Sequence, residues 1–543
     1  MSKRNIYLPI IIAVSLVSGI FISSLITDGN TGFLKQNRDA QNKLNAMLDF
    51  ISENYVDTIN KAELIEDAIP TFLEKLDPHS IYIPAKNLKE MNEPLQGNFE
   101  GIGIQFNMRH DTLLVLHTIS GGPSEAAGVR PGDRIITVDD SVIAGKNIST
   151  HDIIKMLKGE KGSKVKLGIK RSDIDSLIHY TIVRDEIPLY SVDVSYMPGK
   201  TTGYIKISSF SNKTYSEFMS AVKKLKAKGM TNLILDLRSN SGGIMDAANR
   251  ITDEFLRDGN MIVYTKGRKH EKTEIYATEK HNSLVNVDLT VLIDEFSASA
   301  SEIVAGAIQD NDRGWIIGRR SFGKGLVQEP VNFNDGSALR LTVARYHTPS
   351  GRCIQRPYKD GIKDYYQDVL DRYLNGEMLR KDSVKLNDSL KYTTKNGRIV
   401  YGGGGIMPDI FVPVDTTGNN ELYQQIQNKN LVYEFAFSYM EQHRSRLSQH
   451  KDITGLVNDL KDHAVFNAFI AFTRENGIEV KSQQLEQSKK TLKTQVYAMI
   501  CRNILNDDGF YPIIHQVDTT FKKAFRVMEA DWDLMEYSRS KAS

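Results

Sequence analysis

The chain has 543 residues, with 69 Lys and Arg against 67 Asp and Glu, a net charge of +2. Hydrophobic residues make up 40% and charged residues 25%, enough for several ordinary cores and too balanced in sign for a protein whose main work is binding nucleic acid. The two cysteines exclude a disulfide scaffold and a cysteine-built zinc site, and whether Cys353 and Cys501 pair with each other stays open.

At the amino terminus Lys3 and Arg4 precede a run from Ile6 to Ile26 with no charged residue. At 1.5 Å per residue such a run spans roughly 30 Å, the thickness of a hydrocarbon core. A cleaved signal peptide would have a shorter apolar stretch and an Ala-x-Ala-like site, and none is obvious. Residues 1–30 therefore read as an uncleaved anchor that spans the cell membrane once, with everything after Asp28 on the periplasmic side. Residues 31–96 follow as a helical region. Leu44, Met47, Leu48 and Ile51 recur at helical spacing, then Leu64, Ile65, Ala68 and Phe72, with Pro78 as the stop. These helices are candidates for a homodimer contact.

Residues 97–186 are punctuated by glycine. In the run Phe99-Glu100-Gly101-Ile102-Gly103-Ile104, Gly101 and Gly103 let neighbouring N–H groups point into one concavity that can hold a carboxylate. The strand after them offers an edge that an extended peptide can join. A Gly128-x-x-Pro131-Gly132-Asp133 turn and a short helix over Thr150–Leu157 complete the set. In this order the pieces resemble a PDZ domain. The resemblance implies that Gly101, Ile102, Gly103 and Ile104 bind the free carboxyl ends of polypeptides, apolar ones above all.

From about 200 to 348, buried strands alternate with helices, the pattern of βαβ units around a sheet. Strands are expected over Tyr204–Ile207, Leu233–Leu237, Leu289–Ile293 and Trp315–Ile317, and helices over Ser216–Ala227, Asp246–Leu256 and Ser299–Gln309. The run from Val291 to Ile303 is an apolar strand, a tight turn of small residues and a helix start, which sets a serine at the positive end of a helix dipole. Ser321-Phe322-Gly323-Lys324-Gly325 follows, with Lys324 between two glycines. A serine nucleophile with a lysine base fits these residues if burial lowers the amine from near 10.4 to about 7–8. Gln328 shares a face with Lys324 on either a helix or a strand and is placed to orient it. The turn after Leu233–Leu237 ends in Gly242-Gly243, whose amides make a plausible oxyanion hole.

Competing readings are weaker. Gly318-x4-Gly323-Lys324 matches the start of a phosphate-binding loop, but Gly325 stands where the Mg²⁺-holding hydroxyl belongs, and the acidic strand comes before the loop rather than after it. His79 and His347 are alternative bases, yet no Gly-x-Ser-x-Gly surrounds Ser299. There is no metal-ligand constellation and no dinucleotide fingerprint, so no cofactor is expected.

Taken in order, the PDZ-like segment, Asp-Leu-Arg-x-Asn-x-Gly-Gly, Ser-Ala-Ser-Ala-Ser-Glu-Ile and Phe-Gly-Lys-Gly-x-Val-Gln closely resemble the C-terminal processing peptidases, or tail-specific proteases. Leu76-Asp77-Pro78-His79-Ser80 and Gly402–Ile406 with Pro408-Asp409 resemble the two ends of that family's pattern, so the likeness covers roughly residues 35–415. It implies a serine endopeptidase with Ser299 as nucleophile, Lys324 as general base and Gln328 holding the lysine. The oxyanion donors would be backbone amides near Gly242, Gly243 and Ala300. Ser241 stands where the family would have proline. The fold expected is a multidomain α/β protein: a PDZ domain at 97–186, a peptidase core at 187–415 and a helical extension at 416–543 that packs on the core, recruits a partner such as an adaptor, or builds an oligomer. The alternative is a membrane-anchored PDZ scaffold without catalysis, against which the intact Ser299, Lys324 and Gln328 stand.

Overall fold

The computed structural model describes residues 31–529, apart from residues 110, 120, 172–173 and 360. The membrane span expected over residues 6–26 lies outside these. Among the described residues no helix is long and apolar enough to cross a bilayer. Even the longest, Ser482–Ile514, carries Glu486, Lys489, Lys490, Lys493, Arg502, Asp507 and Asp508. The expected single-pass, periplasmic placement is corrected accordingly and is not carried further.

The chain divides at Leu76 into two compact units. The first contains the helices Thr31–Asn54 and Lys61–Leu73. Asn60 caps the second by accepting from the Ala62 and Glu63 N–H groups, which offsets two of the orphan donors of a helix start. Lys61 is ion-paired with Asp49. Leu48 and Leu73 are buried, but Leu44 and Met47, expected on the same apolar face, are exposed. The second helix stops at Leu73, before the proline expected to end it.

The second unit is built around a six-stranded sheet. Its strands, in spatial order, are Val192–Tyr196, Thr202–Ile207, Asn232–Asp236, Asp288–Ile293, Trp315–Gly318 and Ile410–Phe411. The first pair is antiparallel and the rest are parallel. Alternate side chains enter two different cores. Ile205, Leu233, Leu235, Val291, Ile293 and Ile316 face the helices Thr214–Lys226, Met245–Asp253 and Ala300–Asp310. Tyr204, Ile234, Leu292, Trp315 and Ile317 face Phe521, Ala524, Val527 and Met528 of the carboxy-terminal helix Thr519–Glu529. Strands covered on both faces read as unbroken apolar runs, which is the pattern the sequence carries.

A second sheet, of five antiparallel strands, includes Ile81–Ile83, Leu326–Asn332 and Ala338–His347. The segment expected to resemble a PDZ domain forms a six-stranded antiparallel sheet with the helix Thr150–Leu157, its core made by Leu113, Val115, Ile135, Val165, Leu167 and Ile169 among others. Helices from Glu421 to Ile514 pack into a core of their own. From it Phe437 and Met440 reach Leu114. Cys353 and Cys501 are both free thiols.

The helix Ala300–Asp310 is fastened at its far end by a fully buried pair, Asp310 with Arg352, 2.7 Å apart. Removing one partner of such a pair leaves a charge stranded without water. Asp310→Ala is expected to lower the unfolding free energy by about 3–5 kcal/mol in urea denaturation.

Candidate active site

The strand Asp288–Ile293 ends in a turn that leads to the helix Ala300–Asp310. Ser297 locks this turn: its hydroxyl donates to the Leu237 carbonyl at 2.8 Å and accepts from the Asp294 N–H at 2.9 Å. Ser299 takes the N-cap position with φ 54° and ψ −112°. A residue with a side chain adopts this backbone only at a cost of about 1–3 kcal/mol, so neighbouring contacts must hold it there. Its N–H donates to Glu302 Oε2 at 2.8 Å, and its carbonyl accepts from Tyr346 Oη at 3.1 Å.

Glu302 also grips the lysine loop. Its Oε2 accepts from the Lys324 N–H at 2.9 Å, and its Oε1 accepts from the Gly323 N–H at 2.7 Å and from Ser321 Oγ at 2.5 Å. The residue is fully buried, and burial pushes its carboxyl above the usual range. Three of its four contacts are backbone N–H donors and the fourth is the Ser321 hydroxyl, and these favour the charged form against burial. The backbone nitrogens of Ser299 and Lys324 thus meet on one oxygen.

Lys324 Nζ donates to Gln328 Oε1 at 3.0 Å. Gln328 lies on the strand Leu326–Asn332, and its Nε2 donates to the His79 carbonyl. That carbonyl is presented by a folded segment in which the Asp77 carboxylate accepts from the His79 and Ser80 N–H groups, Ser80 Oγ and Thr342 Oγ1. Burial lowers the Lys324 pKa below the ordinary lysine value, against the pull of Asp77 and Glu302. Of the three residues expected to act together, the structure joins Lys324 to Gln328 directly and Ser299 to Lys324 through Glu302. No hydrogen bond among the described residues links Ser299 Oγ to Lys324 Nζ. His79 is held by Tyr365 Oη at 2.8 Å, and its pKa falls to about 4 through burial and the nearby Lys324. His347 stacks on Tyr264, with centroids 4.6 Å apart, and bonds to the Gly351 carbonyl.

The expected oxyanion residues lie beside Ser299. A Cβ on Gly242 would fall 2.8 Å from the Ser299 Cβ and 2.9 Å from the Ala300 nitrogen, and one on Gly243 would meet the Phe210 carbonyl, so both positions require glycine. Asn240 organises the turn: it accepts the Gly242 N–H at 2.9 Å, and its carbonyl takes Ser301 Oγ at 2.9 Å and the Ala298 N–H at 3.0 Å. The Gly242 N–H is therefore already engaged. Those of Gly243 and Ala300 have no acceptor among the described residues.

The glycine loop at 101–104 borders an apolar cleft of about 200 Å³ lined by Phe99, Ile102, Ile104, Phe106, Ile154 and Leu157. The Ile102 and Gly103 N–H groups at its mouth have no backbone acceptor among the described residues. Their carbonyls hold Ser124 and Ile119. Among the described residues no cluster of His, Cys, Asp and Glu could hold a metal ion.

Sequence reading missed the reach of Glu302, the clamp of Asp294 on the Ser239 N–H (2.8 Å) and the His79 carbonyl. Glu302 follows Ser299 by one helical turn, a visible signal, but its grip on Ser321–Lys324 depends on a loop closing in space.

Known proteins share this pattern. The model of peptidase family S41 matches residues 201–366, that of the PDZ domain residues 101–181, and that of a family of unknown function residues 422–506. The chain is 37% identical over 347 residues to the carboxy-terminal-processing protease of Bartonella bacilliformis, a match covering 62% of this chain and 79% of the relative. Two Bacillus subtilis proteins are also similar. Carboxy-terminal processing protease CtpB is 34% identical over 60% of this chain and 67% of its own length, and CtpA is 33% identical over 70% and 81%.

Glu302→Gln replaces an acceptor oxygen with a donor facing other donors. It is expected to lower stability by about 2–4 kcal/mol in urea denaturation, more than a surface Glu→Gln change.

Proposed function

Because the chain belongs to peptidase family S41 and is a serine-type endopeptidase with a PDZ domain, we propose that it binds the free carboxyl end of a polypeptide and cuts that same chain upstream. The PDZ domain is taken as residues 97–186 and the peptidase core as residues 187–415, followed by the extension at 416–543. In this reading the substrate carboxylate sits against the Ile102 and Gly103 amides, and its last side chain enters the apolar cleft. Ser299 Oγ attacks the scissile carbonyl and passes its proton to a neutral Lys324 Nζ. The negative oxygen that forms is stabilised by the Gly243 and Ala300 N–H groups. Lys324 then gives the proton to the leaving amine, and water, deprotonated by Lys324, hydrolyses the acyl-enzyme.

The observation that carries the reading is the environment of Lys324. Its pKa is lowered, with burial the largest cause, and its hydrogen-bond partner is the uncharged oxygen of Gln328 rather than a carboxylate. A group that must accept a proton near neutral pH needs both conditions. Gln328 is held from behind by the His79 carbonyl, so the amine has a fixed direction.

Ser299→Ala and Lys324→Ala are each expected to reduce cleavage of a peptide with an apolar carboxyl end by at least about 10³-fold. Uncut peptide should still bind, as read by fluorescence anisotropy. Undiminished cleavage by either variant would refute the assignment. The neutral amine is the active form, so kcat/KM should rise with pH along a limb set below the ordinary lysine value of about 10.4. A limb that stays at that value would mean the amine is not activated by its surroundings. Amidating the peptide's carboxyl end is expected to weaken binding at least about tenfold, through loss of a charge-assisted contact.

A further inference from the structure

The turn that carries Gly243 begins with Arg238, and this arginine is held from two sides. Its Nη2 donates to Asp236 Oδ2 at 2.6 Å and lies 2.8 Å from Asp518 Oδ2. Its Nε reaches both Asp236 oxygens at 3.0 Å. Lys206 Nζ donates to the Arg238 carbonyl and stands 3.7 Å from Asp236 Oδ1. Tyr204 Oη also donates to Asp236, at 2.7 Å. The cluster therefore holds two cations and two carboxylates. Lys206 and Asp236 come from the strands of the main sheet, Arg238 from the turn that follows, and Asp518 from the carboxy-terminal extension. His515 beside them adds no charge, since burial takes its pKa down to about 4.

Without Asp518 the buried Lys206 and the half-buried Arg238 would share one carboxylate, which leaves one positive charge short of a partner. Arg238 would have to swing toward water. Its neighbours make that movement consequential. Ser239 has a positive φ of 56° and is held at its N–H by Asp294, and Asn240 follows with the bonds that shape the turn to Gly243. Asp518 itself is firmly placed. Its Oδ1 accepts the Phe521 N–H at 2.9 Å, capping the helix Thr519–Glu529, whose Phe521, Ala524, Val527 and Met528 are buried against the sheet.

We propose that Asp518 is a positioning residue for peptide cleavage, holding Arg238 and through it the turn Ser239–Gly243 that offers the Gly243 N–H to the oxyanion. The assignment rests on the Ser299 and Gly243 roles given above. It makes the carboxy-terminal extension a support of the active site, although the helix Thr519–Glu529 lies beyond the segment that the family of unknown function matches.

The test is Asp518→Asn in the full chain. Asparagine caps a helix as well as aspartate does, so the Phe521 contact survives and only the charge is lost. With the variant shown to be folded by circular dichroism, kcat on a tail-bearing peptide is expected to fall at least about tenfold with KM within about twofold, because the interaction matters only once the oxyanion forms. A peptide aldehyde, which forms a tetrahedral adduct with the serine, should lose affinity by the same factor. Peptide binding at the glycine loop should be unaffected. Asp518→Glu, which keeps the charge, should recover part of kcat, and it is read by the same two numbers if the asparagine variant does not fold. A folded variant with kcat within about twofold of the parent overturns the proposal, as does a loss of kcat with aldehyde affinity intact. Ser299→Ala is run beside it. If that variant still cleaves, the nucleophile assignment has failed. If it is inactive while Asp518→Asn is fully active, only the role of Asp518 has failed.

Discussion

One carboxylate, Glu302, ties the serine turn to the lysine loop, beside the bond from the Phe322 N–H to the Ser297 carbonyl. Four donors converge on it, two from the backbone and hydroxyl groups at Ser321 and Gly323 and two from the amides of Ser299 and Lys324. Ser299 stands in a backbone conformation that a side chain disfavours, and the lysine loop is rich in glycine and has little intrinsic order. Neither would hold its geometry alone. Fully buried charge is costly unless every lone pair is used, and here each oxygen takes two donors. The strain at Ser299 and the desolvation of Glu302 are thus offset by the same set of bonds.

The same economy of donors governs the charge on Lys324. Two carboxylates act on the amine and favour its protonated form, Asp77 and Glu302. Both are saturated elsewhere: Asp77 accepts from His79, Ser80 and Thr342, and Glu302 from the two loops. Neither forms a direct bond to Nζ. Their attraction acts at a distance while burial acts at contact, and burial prevails. Had either oxygen turned toward Nζ, the result would have been an ordinary ion pair with a raised lysine pKa.

Much of this could be read from the residues alone. The helix Thr150–Leu157 appears where its apolar spacing put it, and the strands at 204, 233, 289 and 315 differ from expectation only at their ends. Such signals are local: periodicity, a glycine pair, a run of small residues. What could not be read was anything closed through space. The Gly242 amide, expected among the oxyanion donors, is taken by Asn240 two residues away, and the N–H groups of Ala300 and Gly243 have no acceptor among the described residues. The amphipathic stripe of the first helix failed at Leu44 and Met47, because periodicity says which side chains share a face and not whether that face is covered.

The extension after residue 416 shows the same limit most clearly, and it closes the argument about the sheet. Strands that read as continuously apolar need two covering layers, but the chain between 200 and 348 supplies helices for only one. The second layer comes from Thr519–Glu529, more than 200 residues beyond the strand Asp288–Ile293 that it covers. Unbroken hydrophobicity in those strands therefore already implied a missing partner. That partner brings Asp518 to the strand end where Arg238 lacks a second counter-charge. Upstream in the same extension, Tyr433, Ser438 and Glu441 bond to Asn107, Arg109 and Arg134 of the peptide-binding domain. One segment thus grips both the sheet that presents Ser299 and the domain that carries the glycine loop.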